Sequence, residues 1–379
     1  WTPITPENKG VNAGLFPAVS PAFALSSDGL MLAVVYDRGD DDEIEVYDVG
    51  TMKARPLPAL PPGQISRLAW RPGSRELGFT LASLQSPGDV YSIDTAIGTL
   101  SRWTESETSG FNPAVLPPPE VIKWKSKDGM TISGILYRPP SGKFTGPRPV
   151  MVNIHGGPNQ RERARFIGRS NYFLNDLGIA LIYPNVRGSI GFGPQFEKAD
   201  DGRGRKGAIE DIGALLDWIG AHPEFDKNRV MLTGASYGGW LSLEAGIVYG
   251  DRVRCIFEGA GITDFVTFME QTDPSRLVDR RAEYGDERDP DTRAFLESIS
   301  PLTRSADLKV PTFVAAGARD SRVPVAQARQ LVEALKGRNV PVWYTEYADA
   351  GHDGFPNSLK NYDFLFNTWA MFIKQYLLN

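Results

Sequence analysis

Gly234-Ala235-Ser236-Tyr237-Gly238 reads G-x-S-x-G, with the apolar run 230–233 before it and an Ala/Leu-rich segment of helical spacing after it. A serine at such a sharp strand-to-helix turn has its hydroxyl lifted above the sheet, and flanking glycines let the helix approach the strand. The hydroxyl is a poor nucleophile until a base takes its proton, and the base needs a carboxylate to fix its tautomer. The chain holds three histidines, His155, His222 and His352. Hydrolases built on this turn run Ser, then Asp or Glu, then His, and His352 alone follows Ser236. It lies in a Gly-flanked loop, 349–354, after an apolar strand. The acid should end an intervening strand, and 314–319 leads to Asp320. Asp291 and Asp307 lack such a strand, while Asp349 and Asp353 sit too close along the loop to orient His352. The catalytic set expected is Ser236, Asp320 and His352. A Gly/Ser-rich turn of no chemical consequence would not need these partners in this order.

A tetrahedral intermediate needs donors aimed at its oxyanion. One is the backbone N–H of Tyr237, after the nucleophile. The second should come from the loop after the strand 150–154, where Gly156-Gly157 allow close approach, and Gly157 is the choice. His155, in the same loop, is read as a hydrogen-bonding brace.

Residues 120–125 and 131–138 read as an antiparallel hairpin about Lys127-Asp128-Gly129. The apolar strand 148–154 follows, then a helical segment around 166–177, a strand at 179–183 and an amphipathic helix over 209–221. Beyond the serine come strands at 255–257, 311–316 and 341–347, with helices at 326–335 and 364–378. Such alternation implies an α/β domain with a mostly parallel sheet and helices on both faces.

Residues 1–118 differ: short alternating β-type runs, turns rich in Gly, Pro and Asp, and no long amphipathic helix. The segment from Pro21 through Asp48 is repeated about 45 residues later by 66–94, a spacing in the range of β-propeller blades. Two blades cannot close a propeller. With no Met at the start, the sequence is expected to be the C-terminal part of a longer protein; a shortened accessory domain is the alternative. The run Asp40–Glu43 is read as a solvated hairpin tip, not a calcium loop. Leu116-Pro117-Pro118-Pro119 sets the boundary, giving a partial propeller over 1–118 and a catalytic domain over 119–379.

With 41 basic and 46 acidic residues, a net charge of −5 and no basic stripe, nucleic acid is not an expected partner. No run reaches the length of a membrane span and no apolar signal core opens the chain, so no membrane partner is expected and the compartment stays open between cytoplasm and periplasm. Cys255 is the single cysteine, expected to be a buried structural thiol. One Cys, three scattered His and no H-E-x-x-H give no metal site, and no cofactor is expected. Gly202-Arg203-Gly204-Arg205-Lys206-Gly207 matches G-x-G-x-x-G, but no apolar strand precedes it, so it is read as a basic surface loop.

These residues resemble the prolyl oligopeptidase family of serine peptidases, nearest its acylaminoacyl-peptidase branch. The resemblance rests on His155-Gly156-Gly157-Pro158, the run Asn185-Val186-Arg187-Gly188-Ser189-Ile190-Gly191-Phe192-Gly193, the serine motif through Trp240, Ser300-Pro301-Leu302, Asp320-Ser321-Arg322-Val323-Pro324 and Gly351-His352. It covers most of 120–379. The resemblance implies an α/β-hydrolase domain carrying the triad, under a propeller that limits access to small peptides. It implies that Arg322 binds a substrate carbonyl, and that Phe265, Phe268 and Val323 line an apolar pocket. Asn185 and Arg187 are read as structural. Two departures stand out: the propeller is short, and Asp353 replaces the usual glycine beside the catalytic histidine, where an acid would raise the imidazole pKa. The activity implied is hydrolysis of short, including N-acylated, peptides through an acyl-enzyme. A carboxylesterase, an isopeptidase acting on a compact peptide, and a non-catalytic propeller-based binding protein are the alternatives. The partners implied are a small peptide substrate and an N-terminal portion completing the propeller; a homo-oligomer is compatible with the sequence.

Overall fold

The computed structural model describes residues 23–108, 110–352 and 358–379. It divides into two compact units, Trp1–Pro118 with Arg163–Tyr172, and Pro119–Glu162 with Phe173–Asn379.

In the first unit, β1 (Phe23–Leu25), β2 (Met31–Asp37), β3 (Asp42–Asp48) and β4 (Ala54–Arg55) form a four-stranded antiparallel sheet in chain order. A second such sheet follows from β5 (Gln64–Trp70), β6 (Glu76–Ala82), β7 (Asp89–Asp94) and β8 (Thr99–Arg102). Successive side chains of a strand point to opposite faces, so the alternating pattern gives each sheet an apolar side. Met31, Ala33, Val35, Ile44 and Val46 of one sheet meet Ile65, Leu77, Phe79, Leu81 and Ile93 of the other in a single core. Pro21 and Ala22, where the repeat begins in sequence, lie outside the described residues.

The hairpin tip at 40–43 is exposed at Asp40, Asp41 and Glu43, but Asp42 is buried, which corrects the solvated reading. Its carboxylate accepts from Arg163 Nη1 at 2.8 Å and from the Ile65 N–H at 2.8 Å. Arg163 comes from the short segment 163–172, which joins this unit through Phe166 N–H to Ser83 O (2.9 Å) and Gln64 Nε2 to Ala164 O (3.3 Å).

The second unit is built on an eight-stranded mixed sheet. Its strands are β9 (Glu120–Lys125), β10 (Thr131–Tyr137), β11 (Arg148–Ile154), β12 (Ala180–Asn185), β13 (Phe225–Ala235), β14 (Cys255–Gly259), β15 (Thr312–Gly317) and β16 (Val342–Tyr347). The order is β16-β15-β14-β13-β11-β12-β10-β9. Neighbours from β12 to β16 run parallel, while β10 pairs antiparallel with β12 and β9. The helices are α1 (Asn171–Asn175), whose first two residues belong to the first unit, α2 (Pro194–Glu197), α3 (Arg205–Ala221), α4 (Tyr237–Val248), α5 (Phe265–Gln271), α6 (Leu277–Tyr284), α7 (Pro290–Ser298), α8 (Ala326–Lys336) and α9 (Leu359–Tyr376). None of the described helices is long and apolar enough to cross a membrane.

Two neighbours on β14 show how the sheet is covered. Ile256 packs so tightly on α4 that a Cβ at Gly246 would stand 2.2 Å from its Cδ1, whereas Phe257 stacks on Trp369 of α9 with centroids 4.7 Å apart. Adjacent strand residues face opposite ways, so α4 and α9 lie on opposite faces. Central strands buried on both sides read as continuous apolar runs, and β12 is buried throughout.

Two elements differ from the sequence reading. The helix expected at 166–177 is a 3-10 turn, Gly168–Ser170, followed by the short α1; Gly168 has a left-handed φ of +54°, and the segment up to Tyr172 belongs to the first unit. The supposed basic surface loop at 202–207 is a 3-10 turn running into α3, with Arg205 fully buried. Its guanidinium pairs with Asp200 and with Glu283 and lies over the rings of Tyr237 (5.2 Å) and Tyr284 (4.7 Å), contacts that no sequence spacing announces.

Candidate active site

Strand β13 ends at Ala235 and α4 begins at Tyr237, leaving Ser236 alone in the turn with φ +57° and ψ −121°. A non-glycine residue with positive φ is strained by about 1–3 kcal/mol and persists where the surroundings over-determine it. Those surroundings are visible. The Ser236 N–H donates to Gly259 O at the end of β14 (2.8 Å), and its carbonyl accepts from the Trp240 N–H (3.1 Å). Trp240 is itself buried, with Nε1 donating to Ile299 O at 2.8 Å. The glycines are required: a Cβ at Gly238 would lie 2.1 Å from Ile154 O, and one at Gly234 would lie 2.4 Å from the Gly238 carbonyl carbon. Helix α4 thus rests directly on the end of β11.

The loop leaving β11 comes up beside the serine. A Cβ built at Gly156 would stand 3.6 Å from the Ser236 Cβ, so this glycine loop runs past Ser236 at van der Waals range. Gly157 has φ +116°, a conformation in which a Cβ would meet Asn159 N at 2.6 Å. Tyr237 is the first residue of α4, and the N–H groups of a first helical turn have no intrahelical acceptor. His155 is buried and held through both ring nitrogens, Nδ1 on Gly156 O (2.8 Å) and Nε2 on Ser189 Oγ (2.8 Å). Burial pushes its pKa down, and the Ser189 hydroxyl beside Nε2 donates to Val186 O at 2.6 Å. His155 braces the glycine loop.

Asp320 follows β15 and is buried. One carboxylate oxygen accepts from the N–H groups of Arg322 and Val323, each at 2.8 Å, and the other accepts from His352 Nδ1 at 2.6 Å. With the Nδ1 proton committed to the carboxylate, the lone pair of His352 belongs to Nε2, the arrangement a general base needs. The two loops are tied by Arg319 N–H to Ala350 O (2.9 Å) and by Ala318 N–H to Tyr347 O (2.9 Å). Gly317 permits this, since a Cβ there would be 2.5 Å from Ala350 O. Asp353, the acid expected to perturb the imidazole, lies outside the described residues.

The residues assigned to substrate are unequal in exposure. Arg322 is half-buried and its carbonyl accepts from Thr272 Oγ1 at 3.0 Å. Phe265, Phe268 and Val323 are buried; Phe265 packs edge-on against Trp240 and against Phe268, and Phe268 against Tyr284. Asn185 bonds the backbone of Glu162 in both directions (2.7 and 3.0 Å). Arg187 spans Asp211, Asp128 and Ser126. Cys255 is buried, and burial pushes its thiol pKa far up, which leaves an inert thiol.

Several residues near the serine escaped the sequence. The Tyr237 hydroxyl donates to Asp200 at 3.1 Å, beside Arg205 and Glu283, so the residue after Ser236 is anchored to a buried ionic cluster. Oxygens of Asp200, Asp201 and Glu283 lie within 4.8 Å of one another, and two of these three carboxylates already hold the Arg205 guanidinium. Glu258 is fully buried on β14, next to the residue that accepts the Ser236 N–H; its Oε2 accepts from the Gly261 N–H at 2.7 Å and Oε1 has no partner. Burial pushes its pKa up to about 7. A lone acid inside the apolar run Cys255–Gly259 is the one signal that could have marked it.

Known proteins carry the same framework. The chain is 28% identical over 318 residues to dipeptidyl aminopeptidase BIII of Pseudoxanthomonas mexicana, covering 80% of this chain and 45% of that protein. It is 28% identical over 243 residues to the acylamino-acid-releasing enzyme of Mus musculus, covering 62% and 32%. Among solved structures, a puromycin hydrolase superposes with a TM-score of 0.78 at 25% identity over 89% of this chain and 50% of that one. The acylaminoacyl peptidase of Pyrococcus horikoshii, at 19% identity, shares the fold with a TM-score of 0.78 over 92% and 54%. The chain spans less than half the length of these two curated relatives. Residues 165–379, more than half of the chain, match the sequence profile of the prolyl oligopeptidase family, and the chain belongs to that family.

Proposed function

We propose that this chain supplies the catalytic unit of a serine peptidase acting on short peptides, N-acylated ones among them. The observation that carries the proposal is Ser236 held at positive φ on the β13–α4 turn, in one unit with a His352–Asp320 pair whose hydrogen bond leaves Nε2 as the basic nitrogen. In this reading His352 takes the Ser236 proton as Oγ attacks the peptide carbonyl, and the N–H groups of Tyr237 and Gly157 receive the oxyanion. The imidazolium then protonates the departing amine, and water repeats the sequence on the acyl-enzyme. Arg322 holds a substrate carbonyl, with Phe265, Phe268 and Val323 forming the apolar wall. The two four-stranded sheets are read as two propeller blades over 1–118, completed by an N-terminal portion, ahead of a catalytic domain over 119–379. Relatives named as an aminopeptidase and an acylamino-acid-releasing enzyme support a peptide substrate over an ester.

The test is labelling by a fluorophosphonate, followed by turnover of N-acetyl-alanyl anilide and nitrophenyl butyrate. Labelling and anilide cleavage are expected, with Ser236→Ala removing the label and lowering kcat by about 10⁶-fold. Ester cleavage alone would make the chain an esterase. An unlabelled but folded protein would leave a binding module.

A further inference from the structure

Arg280, half-buried on α6, differs from the buried arginines of the second unit. Arg187 and Arg205 are each met by carboxylates. The guanidinium carbon of Arg280 instead lies 4.1 Å above the ring of Phe268, its Nη1 is buried without a hydrogen-bond partner, and it makes no ion pair among the described residues. An unsatisfied buried donor on a cation is costly, and stacking on an aromatic face returns only part of that cost.

Its location is fixed by the turn between α5 and α6. Asp273 N–H donates to Ser321 O (3.2 Å) and Thr272 Oγ1 to Arg322 O (3.0 Å), fastening this turn to the loop that carries Asp320. Arg280 is close enough for its charge to be felt together with those of Asp320 and Arg322, and burial with the neighbouring positive charges of Arg276 and Arg322 pushes its pKa down to about 10. Asp320 does not neutralise it, because the Asp320 oxygens are taken by His352 Nδ1 and the N–H groups of Arg322 and Val323.

Building on the peptidase reading above, we infer that Arg280, standing on Phe268 beside the Asp320 loop, is a substrate-binding residue that receives a carboxylate of the peptide. The planar guanidinium is suited to a carboxylate, and an anion at its accessible N–H groups would offset the cost of a cation whose Nη1 is buried without an acceptor. That carboxylate comes either from the free C-terminus of the peptide or from an acidic side chain beside the scissile bond.

Two matched pairs separate the sources: N-acetyl-Ala-Ala as acid and as C-terminal amide, and N-acetyl-Asp anilide against N-acetyl-Asn anilide. One pair is expected to show an acid preference of about 10- to 100-fold in kcat/KM, the effect of a hydrogen bond between charged groups. Arg280→Met should bring that ratio towards one, and Arg280→Lys, which keeps charge but loses the fork, should lower it several-fold. Circular dichroism checks the fold, and should the Met variant not fold, the Lys variant carries the test. Ratios near one in the wild type, or a preference unchanged by both substitutions, overturn the inference. Calorimetric binding of N-acetyl-Ala-Ala acid and amide, and of N-acetyl-Asp and N-acetyl-Asn methylamides, to Ser236→Ala protein reads the subsite without turnover. An acid preference there, in a chain that takes no fluorophosphonate label, keeps the anion subsite while the peptidase reading fails; no preference there overturns the subsite even in an active enzyme.

Discussion

Asp42 in the first unit and Glu258 in the second are both buried carboxylates at strand ends, in opposite company. Asp42 accepts from the Arg163 guanidinium and one backbone N–H, while Glu258 has a single backbone N–H and no cation among its hydrogen-bond partners. Burial pushes both pKa values up, but only Asp42 has an arginine pulling the other way. In the first unit Asp42 fastens Arg163, and with it the segment 163–172, to the strands. In the second unit Glu258 stands without a cation one residue from the acceptor of the Ser236 N–H, and a third carboxylate, Asp320, is bonded to the His352 imidazole. Asp42 serves cohesion through its arginine; Glu258 and Asp320 accept from no arginine or lysine side chain among the described residues, although the second unit pairs other buried acids with Arg187 and Arg205.

The largest expected effect separates chemistry from cohesion. Asp320→Asn keeps the shape of the side chain but no longer fixes the His352 tautomer, and kcat should fall by about 10⁴-fold with the melting temperature nearly unchanged. Steady-state kinetics alongside a thermal melt decide it; a comparable loss of stability would make Asp320 a structural acid like Asp42.

Arg163→Met should do the reverse. It strands Asp42 in the first unit and is expected to cost about 3–5 kcal/mol at pH 7, read by urea unfolding. Asp42 already titrates above its ordinary value, so the loss should shrink at acidic pH, where the stranded carboxyl binds a proton, and Asp42→Asn on the Met background should restore part of it. A pH-independent loss would mean that the arginine acts through packing alone.

Glu258 gives the smallest effect, with a defined sign. Its folded pKa of about 7 lies above the ordinary glutamate value of 4.5, so the folded protein binds a proton that the unfolded chain has released between those values. The resulting stability is full below about pH 4.5 and lost as pH rises through 7. Glu258→Gln should therefore match the wild type near pH 4.5 and exceed it at pH 8 by up to about 3 kcal/mol. Denaturation at the two pH values checks this, and equal differences at both would show that Glu258 has a cationic partner after all.

Much of the second unit was legible because its signals are local. The hairpin of β9 and β10, the strands β15 and β16 and the helix α8 follow the apolar periodicity to within a residue or two. Asp320 was legible from its place after an apolar strand. Arg205 was not, since a basic residue among glycines has the composition of a loop, and only the approach of Asp200, Glu283 and two tyrosine rings makes burial favourable. Asp42 was hidden for the same reason: its partner lies far along the chain, in a segment whose composition matches its surroundings.

The sequence by itself determined the strand–serine–helix turn, the chain order Ser, Asp, His and the change of pattern near residue 118, because each is written in neighbouring residues through backbone sterics and apolar periodicity. Tertiary structure alone decided which charges are neutralised and which are not: that Asp320 reaches His352, that Arg163 closes on Asp42, that Glu258 stays without a cation and that Arg280 is left with a bare donor over Phe268. The physical reason is range. Backbone conformation is set over a few residues, whereas the energy of a buried charge depends on every group the fold brings within a few ångströms, wherever in the chain it began.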